Sequence, residues 1–63
     1  MKRITILLIG NQLELSLKEG AAKNLQEWFE LADDDNTTKM VFNDGSTILL
    51  RRSEVVAITI INQ

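Results

Sequence analysis

The hydrophobic pattern changes period along this chain, and each change marks an element. Lys2 to Ile9 is rich in β-branched and leucine side chains, and Gln12 to Leu17 alternates strictly between polar and apolar. Alternation is the signature of a strand with one face buried. Gly10-Asn11 stands between the two runs and suits a type II′ hairpin turn, with glycine first. That turn places Leu8 opposite Leu13, Ile6 opposite Leu15, Ile4 opposite Leu17 and Ile9 opposite Gln12. The first three pairs share an apolar face, while Leu7 and Ile9 show on the other side.

From Lys18 to Ala32 the spacing becomes helical. Ala22, Leu25, Trp28, Phe29 and Ala32 form one apolar stripe, with Leu31 lying off it. Glu19–Lys23 and Lys23–Glu27 stand four apart on the outer side, and Ser16 with Glu19 has the spacing of a capping box. Asp33-Asp34-Asp35 ends the helix, because acids at its C-terminus oppose the macrodipole.

Thr38 to Asn43 and Ser46 to Arg51 read as strands around Asp44-Gly45, the dipeptide of a type I′ hairpin. In that register Met40 faces Leu49 and Phe42 faces Thr47, while Val41 faces Ile48 and Lys39 faces Leu50, so both faces are apolar. A polar step, Arg52-Ser53-Glu54, leads into a last β-branched strand, Val55 to Ile61. The order is β-β-α-β-β-β, an α+β domain over residues 1–63 with one helix packed on a mainly antiparallel sheet.

Geometry makes this pattern consequential. A helix of about 15 residues is about 22 Å long and 10–12 Å across. Five strands make a sheet about 19 Å wide. One helix therefore leaves apolar strand surface uncovered. Either the sheet curls into a small SH3-like or Sm-like barrel carrying an inserted helix, or the bare face or last edge pairs with a second copy of the chain.

The hairpin Phe42-Asn43-Asp44-Gly45-Ser46, followed by Ser53-Glu54-Val55-Val56-Ala57-Ile58, resembles a pattern in small bacterial and phage proteins. It is also similar to the closing strands of SH3-like barrels, where a short helical turn precedes the last strand. The resemblance covers the C-terminal part of the chain and transfers no functional residue.

Composition narrows the chemistry. The chain has 63 residues with 44 % hydrophobic content, no Cys and no His. Disulfides, thiolate zinc and histidine-based catalytic dyads are excluded. Ser16, Ser46 and Ser53 have no histidine to activate them, so we expect no enzyme, no cofactor and no metal. The Asp33–Asn36 run lacks the alternating ligands, central glycine and terminal glutamate of an EF-hand, and reads as a solvated loop. Nine acids against seven bases give a net charge of −2, which disfavours nucleic acid as a general partner. The apolar N-terminal run is too short to span a bilayer and lacks a cleavage signal, so the expected location is the cytoplasm.

Two functional readings follow. In the first, the chain is a non-enzymatic interaction protein that self-associates and binds another macromolecule, with Leu7, Ile9, Ile58 and Ile60 as contact residues. In the alternative, Lys39, Arg51 and Arg52 hold a small anion such as a nucleotide, or a nucleic-acid backbone, with Lys39 and Arg52 diagonal on one face. Gatekeeping of a strand end would use the same basic residues.

Overall fold

A computed structural model describes residues 1–42 and 44–62; Asn43 and Gln63 lie outside the described residues. The elements are β1 (Lys2–Leu8), β2 (Asn11–Leu17), α1 (Glu19–Leu31), β3 (Thr37–Val41), β4 (Thr47–Arg51), a 3₁₀ turn (Arg52–Glu54) and β5 (Val55–Asn62). This is the α+β order read from the pattern. The strands, however, form two antiparallel sheets, β2-β1-β5 and β3-β4. Among the described residues the second ribbon is not laddered into the first sheet, so neither a single five-stranded sheet nor a closed barrel is present.

The first hairpin keeps its expected face but not its expected partners. Ile4 pairs with Leu15, Ile6 with Leu13 and Lys2 with Leu17, a shift of two residues. The loop is therefore Ile9-Gly10, not Gly10-Asn11. Only Gly10 has a positive φ there, +75°. A left-handed residue in second loop position is what a type II turn requires, whereas type II′ would need it first. Because side chains alternate with period two, a two-residue shift leaves every side chain on the same face. Ile4 and Ile6 are fully buried, and Leu13 and Leu15 pack beside them.

The second hairpin slips by one residue, which exchanges its faces. Met40 pairs with Ile48, Thr38 with Leu50 and Lys39 with Leu49. The expected type I′ turn is absent, since Asp44 has no positive φ and Gly45 alone does, at +89°. Phe42 N donates to Ser46 O at 2.9 Å, and Gly45 N to Phe42 O at 3.0 Å. A longer loop with glycine in the left-handed position is the three-residue hairpin arrangement; its first residue, Asn43, lies outside the described residues. The slip gathers Met40, Phe42, Ile48 and Leu50 on the core side. Lys39, Val41, Leu49 and Arg51 are left on the exposed face. The two apolar faces expected from the dipeptide are thus one core face and one mixed face.

β5 solves a parity problem of its own. Ile58 pairs with Ile6 and Ile60 with Ile4, so even-numbered residues point inward. Leu7 then pairs with Ala57 but Leu8 with Val55, leaving Val56 as the extra residue of a bulge. The bulge resets the alternation. Val55 becomes a buried core residue while Val56 is 56 % exposed.

The helix stripe forms as expected: Ala22 and Leu25 are buried, and Trp28 and Phe29 pack against the core. The capping box does not form. The N-cap is Lys18, with no side-chain cap bond, because Ser16 is held in β2. Helix and β3-β4 ribbon both contribute to the cluster that includes Ile4 and Ile6. The ribbon is the second lid, and it takes up much of the apolar area that one helix could not cover.

Candidate interaction surface

A single corner organises the basic residues and the acidic loop. The last helical bond of α1 runs from Ala32 N to Trp28 O at 2.9 Å, so Phe29 O is the first carbonyl beyond the ladder. Helix α1 has no basic residue in its last turn. Arg52 supplies the missing cation from across the fold. Its Nε donates to Phe29 O at 2.8 Å and its Nη1 to Val55 O at 3.2 Å. Its guanidinium carbon sits 3.9 Å from the Phe29 ring centroid. The arrangement satisfies a helix-end carbonyl, opposes the dipole's negative end and stacks a cation on an aromatic face.

The loop after the helix is stitched to the same corner. Arg52 N donates to Asn36 O at 2.8 Å and Ser53 N to Asp34 O at 2.9 Å. Trp28 Nε1 donates to Asn36 Oδ1 at 2.8 Å. The aspartate-rich segment thus acts as a backbone clamp. Among the described residues, no group of three or more carboxylates is placed to hold a metal ion.

Lys39, Arg51 and Arg52 are therefore not one site. Lys39 and Arg51 share the exposed face of the β3-β4 ribbon, diagonal to each other, through the pairs Lys39–Leu49 and Thr37–Arg51. Arg52 turns away beneath the end of the helix. The expected Lys39–Arg52 pairing fails because the ribbon slips by one residue and because the guanidinium is committed to backbone carbonyls.

The expected contact residues divide as well. Leu7 and Ile9 are 42 % and 67 % exposed, and the Ile9 N–H bonds Glu54 O at 3.1 Å, which brings the β1–β2 loop to the start of β5. Val56 is exposed at this same end. Ile58 and Ile60 lie on the opposite, inner face of the sheet, half-buried against the core. They line an open cleft of about 330 Å³ with Gln26, Phe29 and Glu30, between β5 and the helix. A second open cleft of about 460 Å³ joins Ile9 and Leu8 to Leu49, Leu50 and Arg51 of the ribbon.

Sequence reasoning gave both ribbon faces as apolar but did not group Val41 with Leu49, which the one-residue slip leaves together on the outer face, 65 % and 70 % exposed. The exposed face of the three-stranded sheet is mostly polar by contrast. Its cross-strand rows read Ser16–Arg3–Ile61, Glu14–Thr5–Thr59 and Gln12–Leu7–Ala57.

The Asp44 carboxyl has a displaced titration. Ser46 Oγ donates to its Oδ1 at 2.5 Å and Ser46 N at 2.9 Å. These bonds favour the ionised form and hold the group below its ordinary 3.8. Their role is to brace the loop. Among the described residues no helix is long and apolar enough to cross a membrane. No protein-family model, curated protein or solved structure matches this chain.

Proposed function

We propose that this chain is a non-enzymatic cytoplasmic interaction protein that self-associates and presents the resulting surface to another macromolecule. The observation that carries the reading is the exposure of large aliphatic side chains on the β1–β2 loop, the β3-β4 ribbon and the start of β5. Ile9, Val41, Leu49 and Val56 are each more than half exposed. Fully burying such a side chain is worth about 1.5–3 kcal/mol, a gain available to association. Clustered apolar exposure, as distinct from scattered single residues, marks interaction surfaces.

The distribution of polar chemistry supports the same reading. Two N–H groups of the Arg52 guanidinium, on Nε and Nη1, are engaged with Phe29 O and Val55 O, which ties this side chain to the fold. Sedimentation equilibrium at micromolar concentration tests the proposal. The expected mass is a small multiple of 7.1 kDa. A single-chain mass across the whole accessible concentration range would overturn it.

A further inference from the structure

We propose that the outer edge of β5 is the seam of a two-fold homodimer. In it, β5 of each copy pairs antiparallel with β5 of the other, and the sheet continues as β2-β1-β5-β5-β1-β2. The proposal rests on the self-association argued above and names its geometry.

The first support is the character of the edge. Among the described residues β5 pairs as a strand with β1 alone, and its eight residues, Val-Val-Ala-Ile-Thr-Ile-Ile-Asn, include no charge. Proteins that remain monomeric guard such edges with lysine, proline or a bulge. Here the bulge lies at Val56, at the start of the strand, and leaves Ala57 to Asn62 unguarded. The opposite edge, β2, carries Glu14 at its centre.

The second support is self-complementarity. Cross-strand partners share a face, so beyond the bulge even residues of β5 must meet even residues of the second copy, and odd must meet odd. A two-fold axis therefore passes through a residue. With the axis at Thr59, Ile58 meets Ile60 of the second copy twice over, and Ala57 meets Ile61. The half-buried isoleucines then close the open cleft beside Phe29, and small opposes large on the outer face. Asn62, to which the Lys2 ammonium donates, comes opposite Val56 of the second copy. Lys2 thereby approaches the end of the seam where the second copy's Glu54 lies.

The third support is area. The paired segment Val56–Asn62 is about 24 Å long, and two packed layers are about 20 Å thick with their side chains. The edge thus offers about 480 Å² per copy, or about 960 Å² in total, close to the roughly 1,000 Å² that a specific interface needs.

The absence of cysteine makes the test direct. Thr59→Cys places one thiol on the proposed axis, and Leu49→Cys places one on the ribbon's exposed face. Under mild oxidation, Thr59→Cys should give a reducible species of twice the chain mass, and Leu49→Cys should not. Thr59→Lys should weaken dimerisation by up to about fivefold, since it sets like charges opposite each other on a solvated face, while keeping the wild-type circular dichroism. A dimeric wild type that cross-links through Leu49→Cys but not Thr59→Cys would refute the seam and leave self-association standing. A wild type that is monomeric throughout would remove both.

Discussion

Replacing Arg52 by alanine tests the corner on which the fold turns. The substitution removes two charge-assisted bonds to backbone carbonyls, at 2.8 and 3.2 Å, and a cation over the Phe29 ring at 3.9 Å. Hydrogen bonds from a charged donor contribute about 1.5–3 kcal/mol each when well made. A cation–π contact adds about 0.5–1 kcal/mol, and a cation at a helix C-terminus about 0.3–1 kcal/mol. These terms share one charge on a half-buried side chain, one bond is long, and water reaches part of the site. The combined loss is therefore about 2–3 kcal/mol, well below the simple sum. For a domain of this size that lowers Tm by about 10–20 °C. Urea unfolding followed by Trp28 fluorescence measures it, with the midpoint falling at unchanged slope. Arg52→Lys keeps the charge, but one ammonium cannot reach both carbonyls from the same pose, so it should recover about half of the loss. Arg51→Ala, on the exposed ribbon face, should stay within about 0.5 kcal/mol of wild type. If Arg52→Ala proves equally silent, the clamp is not operating. If it is silent and also abolishes a phosphate-dependent rise in Tm, the anion-binding reading replaces the structural one.

Other perturbations separate backbone, charge and association effects. Gly20→Ala, in the first turn of α1 with open space around the added methyl, should stabilise by about 0.5–1 kcal/mol. Gly45→Ala meets no steric neighbour either, yet should destabilise by about 1–2 kcal/mol because its φ is +89°; equal effects in urea unfolding would contradict the loop geometry. Asp44 has a depressed titration, so its contribution is fully present above its unfolded value near 3.8 and is lost as pH falls through the lower folded value. Ser46→Ala, which removes the principal donor, should therefore unfold more readily than wild type above pH 3.8, with the gap narrowing in acid. A constant gap would assign the serine's effect to something other than that carboxylate. If folding and self-association are linked, Tm should rise with protein concentration, and calorimetry over a hundredfold dilution that finds it fixed would uncouple them.

The places where sequence reading succeeded and failed have physical causes. The first hairpin could lose two residues of register and keep its buried face, because Leu13, Leu15 and Leu17 alternate with polar residues and one face was never in doubt. The second hairpin had no such protection. Lys39 to Val41 and Ile48 to Leu50 are apolar at positions of both parities, so the turn alone fixed the register, and Asp-Gly is compatible with more than one turn. The bulge at Val56 was hidden for a related reason: a continuous β-branched run does not reveal where alternation resets. The role of Arg52 at the helix end was invisible because its acceptors are backbone carbonyls, one of them 23 residues away. A signal did exist. Helix α1 ends in acids with no cation in its last turn, and an unopposed C-terminus calls for a positive group from elsewhere in the chain.

The proposed association falls to the margins of this fold for a related reason. A 63-residue domain buries only about 60 % of its unfolded surface, and here the enclosed core is narrow, centred on Ile4 and Ile6. Two lids, the helix and the β3-β4 ribbon, cover one sheet face, and the Arg52 corner locks the end of one lid to the start of β5. A lid that is clamped cannot also widen. The helix therefore leaves its β5 flank half covered, with Ile58 and Ile60 at the lip of a cleft. The ribbon leaves its own outer residues, Val41 and Leu49, in water. Of these two uncovered regions, only the β5 flank combines apolar side chains with a charge-free strand edge whose hydrogen-bonding groups face outward. In the proposed seam a second copy would satisfy the edge and the cleft in one step, which the ribbon's outer face does not offer.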